Sequence, residues 1–447
     1  MVWRRIAIGA GAIMALLLLV IAGGYVWLDT QSGRNFLARQ IAAVEMENGL
    51  NIRIGKIEGS IYSDTILRDV QFRDPKGGFA RAPEIRLDWN PLSYFSSGVN
   101  IRSLRAPTLN VARMPAFRIV PDRGDPLLPD LDINIGQLQI DRIVFAKGIT
   151  GEEQVASLSG KVQIADRRAI VTATAGSLRD DRIVLKLDAV PEDNRFDVDL
   201  NLDAPAKGVV AGLLGRDVPM TMTLAGRGSW RKWDGALSAQ MGAEDIADIA
   251  LTAREGTFTG KGTAAPVKFM ANSLLVRALS PVANIDMAAR FAERSAKISG
   301  TLRSAAMEMR ADGIADLGEA RFRDLALDIR LLRPGIIGSN VSGTNVRGTA
   351  LLNGAFAEPT VAYSATAKRL AFGLTTFEDV TLSGEAQGAD DRFLIPVTAR
   401  ARRVSGINQV AGGLLTKLRL NGDLAIAKGR LLSDNLKIRS DRINATA

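Results

Sequence analysis

The chain has 447 residues, among them 43 glycines and neither cysteine nor histidine, and carries a formal charge of +9. The two missing residue types exclude disulfides, thiolate nucleophiles, imidazole acid–base chemistry, Ser-His-Asp triads and His/Cys zinc sites. The bases are spread singly among Asp and Glu and aromatics make up 5%, which argues against a nucleic-acid surface and leaves anionic lipid as the better match for the charge.

From Ile6 to Leu28 no residue is charged. About 23 apolar residues cross the hydrocarbon core as a helix with some tilt. Arg4 and Arg5 before the run and Asp29 after it predict a cytoplasmic N-terminus, with Tyr25 and Trp27 as interfacial aromatics at the far end. A cleaved signal peptide, cut near Ala22-Gly23-Gly24, is the competing reading, but its apolar core would be only about 7–15 residues long. The expected organisation is a cytoplasmic tail (1–5), a single transmembrane helix (6–28) and a short periplasmic helix (29–48). A β-segment (49–120), a Pro/Asp-rich loop (121–130) and a long β-region (131–447) follow. The bulk of the chain is thus expected in the periplasm, anchored to the inner (plasma) membrane.

Beyond residue 50 the dominant pattern has a period of two. Phe196, Val198, Leu200 and Leu202 alternate with Asp197, Asp199, Asn201 and Asp203. Leu325, Leu327, Ile329 and Leu331 alternate with polar neighbours, and so do Leu418, Leu420, Leu424 and Ile426. Strict alternation gives each strand one apolar and one wet face. Asp/Asn/Gly clusters such as Asp74-Pro75-Lys76-Gly77 supply the turns. Helices are expected only at Ser32–Val44, capped by Ser32 or Thr30, at Pro205–Leu214, within Val267–Leu279 and around Asn408–Leu415. Without a βαβ rhythm, the expected fold is mainly β: an elongated, curled antiparallel sheet, open as a groove, behind the N-terminal helix.

No cofactor is implied and no residue set supports catalysis. Acidic pairs such as Asp197/Asp199 and Asp130/Asp132 share the solvent face at i, i+2, which accounts for them without a metal.

The N-terminal third carries an ordered set of short motifs. Thr30-Gln31-Ser32-Gly33 follows the anchor, then Ile57-Glu58-Gly59-Ser60 and Leu67-Arg68-Asp69-Val70 with Asp74 and Gly77. Next come Ile85/Leu87/Trp89, the turn Trp89-Asn90-Pro91-Leu92, and Ile101–Val111 with Leu104, Pro107 and Arg113. In this order and spacing they resemble the TamB proteins, inner-membrane subunits of the translocation and assembly module, within the AsmA-like family. Gly59, Asp69, Trp89 and Pro91 read as structural: Gly59 for a turn, Pro91 to stop a strand, Trp89 to pack the end of the apolar face. The resemblance implies a periplasmic β-groove linked to phospholipid transport towards the outer membrane. It also implies a link to assembly and secretion of autotransporters and other outer-membrane proteins, with a TamA-like outer-membrane barrel as partner. The C-terminal domain by which TamB-like chains meet that barrel is not recognisable before Ala447.

On this reading Phe196, Val198, Leu200, Leu202, Leu325, Leu327, Ile329, Leu331, Leu418, Leu420, Leu424 and Ile426 line a lipid path. The alternative is a membrane-anchored structural protein in which the same residues form a closed core.

Overall fold

The computed structural model describes residues 26–91, 93, 98–118, 132–190, 195–229, 231–265, 273–292, 295–338, 340–356, 358–389, 392–407, 414–427, 430–432 and 435–446. Strand accounts for 68% of the chain and helix for 9%, so the fold is mainly β. Of the expected span 6–28 only Val26–Leu28 fall among the described residues, and Arg4, Arg5 and Tyr25 lie outside them. No helix among the described residues is long and apolar enough to cross a membrane. The chain divides into two compact units, one of Met1–Val120 with Pro126–Thr221, the other of Pro121–Asp125 with Met222–Ala447.

The first unit opens with α1 (Gln31–Ala43), whose N-cap is Thr30: its hydroxyl accepts from the Gly33 N–H at 3.3 Å. Asp29 accepts hydrogen bonds from the Ile61 N–H (2.9 Å) and the Ser60 hydroxyl (3.0 Å), tying the start of the helix to a β-turn. Ala38 then packs on Ile57 and Ile61. The strands are β1 (Asn51–Gly59), β2 (Asp64–Asp74), β3 (Gly77–Asn90), β4 (Val99–Ala106), β5 (Leu109–Val111), β6 (Ile133–Phe145), β7 (Gln154–Ala165), β8 (Arg168–Ser177), β9 (Arg182–Val190) and β10 (Arg195–Ala204). Gly59 has φ +76°, and a Cβ there would come within 2.3 Å of the Asp64 carbonyl oxygen. That is why the β1–β2 turn carries glycine. β3 ends at Asn90, immediately before Pro91.

One step departs from the antiparallel expectation. β4 and β5 lie end to end along β3, and β6 runs parallel to both. Parallel neighbours need a crossover of a dozen or more residues, and residues 112–132 provide its length. The loop expected at 121–130 lies outside the described residues. β6 through β10 continue as an antiparallel meander.

Two short helices close the strand ends of this unit, α2 (Lys147–Thr150) and α3 (Val209–Leu213). The helix expected over Pro205–Leu214 is confined to five residues. It starts where the buried Asp181 carboxylate, from the turn before β9, accepts from the backbone N–H groups of Val209 (2.7 Å) and Val210 (3.2 Å).

The second unit holds β11 (Met220–Ser229), β12 (Lys232–Met241), β13 (Glu244–Arg254), β14 (Thr257–Ala264), β15 (Ala283–Ala292), β16 (Ser295–Arg303), β17 (Met307–Asp316) and β18 (Arg321–Leu331). It continues with β19 (Val341–Thr344), β20 (Val346–Ala355), β21 (Thr360–Phe372), β22 (Thr375–Ala389), β23 (Arg392–Ser405), β24 (Leu414–Ala427), β25 (Arg430–Leu432), β26 (Lys437–Arg439) and β27 (Asn444–Thr446). The ladder from β12 to β18 is antiparallel, passes to β20, and runs on through β24 to β26 and β27. α4 (Ser273–Leu279) lies inside the expected Val267–Leu279 segment. Its Ala278 and Leu279 join Ala283, Ala306, Met307 and Ile336 in a buried plug at one strand margin. Ala401, Val404 and Leu415 form a second plug. Of the helix expected around Asn408–Leu415, residues 408–413 lie outside the described residues. Leu414 and Leu415 belong to β24, because Leu415 pairs with Val404 in the ladder and is buried beside it.

The fold also brings together Asp74, Gly77 and Arg113. The Asp74 side chain is fully buried and takes both arms of the Arg113 guanidinium, at 2.6 and 2.7 Å. It also accepts from the backbone N–H groups of Ala116 and Lys76, while Arg113 donates to the Gly77 carbonyl oxygen. The Arg113 hydrogen bond is the main cause that holds the Asp74 carboxyl far below the ordinary carboxylate range, against the opposing effect of burial. A depressed folded-state pKa contributes stability above the unfolded value near 3.9, and that contribution is lost as pH falls. Asp74→Asn should therefore lower the thermal midpoint at pH 7 by several degrees and flatten its fall between pH 5 and 3. Arg113→Lys, which loses the fork, should fail to restore the wild-type midpoint. Thermal denaturation followed across pH reads both; unchanged midpoints would mean the pair is not a tether.

Candidate functional site

Alternation gives each strand a face, but only register joins those faces. In the second unit one cross-strand row passes through Leu237, Ile249, Gly262, Ile285, Leu302, Met309 and Ile329. The same row continues through Gly348, Ala365, Leu382, Ala399, Leu420, Ile438 and Ala445. It crosses fourteen strands without a polar side chain. At about 4.8 Å per strand it runs roughly 60 Å along the sheet. A second row carries Leu251, Gly260, Met287, Gly300, Ala311, Leu327, Ala350 and Tyr363. Tyr363 is the one polar-tipped member, and its hydroxyl donates to the Pro396 carbonyl oxygen at 2.7 Å.

The first unit repeats the arrangement. Leu87, Leu104, Leu138, Gly160, Ala173, Leu185 and Leu200 stand in one row, and Trp89, Ile101, Ile135, Val162, Val171, Leu187 and Val198 in the next. The parallel step at β6 leaves the rows intact.

The opposite face is polar in the same register. Lys261, Asp286, Thr301, Arg310, Asp328, Thr349, Ser364, Ser383, Thr398, Asn421 and Lys437 form its row in the second unit. Lys161, Thr172, Lys186 and Asp199 do the same in the first.

Burial decides what the apolar rows are. No member of the long row or of the two first-unit rows is buried: Ala445 is exposed, and every other member keeps part of its surface in water. Buried side chains lie elsewhere, in the plugs and at separate strand positions such as Val70, Ala311, Ala367 and Val397. The faces are therefore lined but not covered. Contiguous apolar surface of this extent marks a binding surface in a soluble fold.

The residues expected to line a path fall into two sets. Val198 and Leu200 in the first unit, and Leu327, Ile329 and Leu420 in the second, stand in the open rows. Phe196 ends a third row that runs through Ala189, the buried Ala169, Ile164, Ile133 and Val99. Leu202 and Leu325 are buried, while Leu331 and Leu418 pack against the plugs. Leu424 and Ile426 oppose Ile395 and Phe393 in the ladder. Trp89 sits in its row and donates to the Thr65 hydroxyl at 3.3 Å. Asp69 holds φ +53° in the middle of β2, paired with Arg81. Trp27 stacks on Phe36 with ring centroids 5.7 Å apart.

No group of three potential metal ligands occurs among the described residues. Asp199 accepts from Asn201 and Asp197 from Arg195. What the rows can do is take an alkyl chain: van der Waals contact on one side, no charge to desolvate.

Comparison with family models, with characterised proteins and with solved structures finds no match. The resemblance to TamB thus rests on the residues quoted for it.

The difference between open and plugged positions is testable. Leu200→Asp leaves a carboxylate that stays hydrated, so unfolding should lose no more than about 1–2 kcal/mol. Leu325→Asp buries an unpaired charge and should lose about 3–5 kcal/mol. Denaturant unfolding of the two variants compares them directly, and equal losses would mean the rows are a closed core.

Proposed function

We propose that this chain is a membrane-anchored, non-enzymatic periplasmic component that offers a hydrophobic β-groove to phospholipid acyl chains. In this role it serves lipid transport towards the outer membrane, outer-membrane protein assembly and secretion, or both. The observation that carries the reading is the long apolar row of the second unit and the two rows of the first, in register, backed by a polar face and left unburied. A closed-core structural protein would need these rows covered. Each acyl methylene removed from water on such a row contributes roughly 0.8 kcal/mol. A saturated chain is therefore held by length alone, without a head-group site. Glycine and alanine interleaved with Leu, Ile and Met keep the surface shallow enough for a chain to slide from strand to strand.

The anchor and the orientation belong to the same proposal. Residues 6–28 would hold the chain in the inner membrane with Arg4 and Arg5 on the cytoplasmic side, and a TamA-like barrel would be the partner at the far membrane. A reporter active only in the periplasm, fused after residue 50, should be active; cytoplasmic activity of the fusion would overturn the orientation.

The groove itself is tested by photo-crosslinking in cells. A crosslinking residue at Leu200 or Leu327 should capture phospholipid, identified by mass spectrometry, whereas the same residue at Asp199 or Asp328 on the opposite face should not. Labelling at all four positions, or at none, would remove the support for a lipid path.

A further inference from the structure

The bases that look scattered in the sequence are gathered by register on the outer face of the second unit. Arg330 opposes Arg347 across β18 and β20, and Arg400, Arg419 and Arg439 oppose one another in turn across β23, β24 and β26. Thr366 and Thr381 join the two groups into a single row. All these side chains are exposed. Among the described residues Arg347, Arg400, Arg419 and Arg439 have no ion-pair partner.

Beside this row runs a crease. On β21 to β24 the ladder skips one pair of residues between β21 and β22, two between β22 and β23 and one between β23 and β24, φ is positive at Asp379 and Lys417, and two consecutive side chains on each strand point outward. The crease adds Lys368, Arg369, Arg402, Arg403 and Lys417, against Glu378 and Asp379, both of which are bonded by Arg402. From β20 to β26 the row and the crease hold nine bases and two acids, a net of +7 in a chain whose whole formal charge is +9. Glu385 and Asp423 lie on the same strands but two rows away, about 13 Å.

Like charges directly opposite on a sheet are destabilising. Three arginines in consecutive register, none neutralised, are the arrangement a fold would shed unless an anion met them. The surroundings restrict which anion. The adjoining row is Thr349, Ser364, Ser383, Thr398 and Asn421, and neither row carries an aromatic or large aliphatic side chain. A protein partner draws most of its affinity from buried apolar or aromatic anchors, and single-stranded nucleic acid from stacking. These two rows offer neither. Lipid head groups need no anchor: their phosphates are mobile, adjust to fixed guanidinium positions, and accept the paired N–H donors of arginine. We propose that the outer face of β20 to β26 is a docking surface for an anionic phospholipid bilayer, separate from the apolar rows on the other side of the same strands.

The test uses the full chain, with its apolar N-terminal segment held in a nanodisc of zwitterionic lipid, and measures capture of added vesicles by flotation. Vesicles containing about 30% phosphatidylglycerol should be captured and purely zwitterionic vesicles should not, with capture falling steeply as salt is raised. The triple variant R400Q/R419Q/R439Q should weaken capture about a hundredfold, since each base near a charged surface contributes about fivefold. K161Q/K186Q/K297Q removes the same charge elsewhere and should leave capture unchanged. Removing Arg419 from between two like charges should hold or raise the thermal midpoint, so lost capture is distinguishable from unfolding. Equal capture of zwitterionic vesicles, equal loss in both triple variants, or tighter binding of a single-stranded oligonucleotide or an acidic peptide than of the anionic vesicles would each overturn the proposal. The difference between the two triple variants is read independently of whether the opposite face carries lipid.

Discussion

Everything in this molecule depends on strand register. Period-two alternation makes a strand amphipathic, but a slip of one residue between neighbours would interleave Leu and Asp across the sheet. The hairpins hold register over long stretches, and where the chain carries an extra residue a bulge absorbs it. At Asp324, φ is +47° and the ladder shifts between Phe322 and Leu325, so that both aim at the apolar face despite being three residues apart. On the neighbouring strand Gly313 fits opposite Leu325 because a Cβ there would meet the Leu325 Cα at 2.3 Å. The bulge re-phases the alternation rather than breaking it.

A sheet covered on one side by nothing but short plugs has an unusual source of stability. Its middle buries little. What it has is a long backbone ladder within each unit, cross-strand pairs of a large side chain against a small one, and tethers at the margins. Asp29 ties the helix to the β1–β2 turn, Asp74 ties Arg113 and the Ala116 backbone to the β2–β3 turn, and Asp181 ties the α3 N-terminus to the turn before β9. Contacts are mostly between sequence neighbours, as in repeat architectures whose stability adds strand by strand. Such a fold can leave its face open because its strands do not need a second layer to stay paired.

The faces were legible from residues such as Leu200 beside Asp199, since alternation is a local signal, and so were the turns and the first helix with Thr30 as cap. Relations between distant residues were not. The parallel β4–β6 pairing joins strands far apart in the chain, which no local pattern encodes. Leu414 and Leu415 read as the end of a helix because two leucines beside glycines fit either period, until Val404 across the ladder decides for strand. Asp74 and Arg113 could be quoted as separate motifs but not as a pair. The arginine row was hidden most completely. Its members lie far apart along the chain, and only pairing across strands brings Arg400, Arg419 and Arg439 together.

That last point explains how one backbone can present two incompatible surfaces. Exposed arginines repel one another through high-dielectric, salt-screened solvent, where the cost of each contact is small. The same charges moved one residue along the strand would interrupt the apolar row, and at a plugged position such as Leu325 they would face desolvation without a partner. The penalty for misplacement is thus steep and local, whereas the penalty for crowding on the correct face is shallow. Under those terms a sheet can accumulate most of its chain's net charge on one side while keeping Ile329, Gly348, Ala365, Leu382, Ala399 and Leu420 unbroken on the other. The outer surface is free to change with whatever it meets, because parity within each strand keeps that change away from the row behind it.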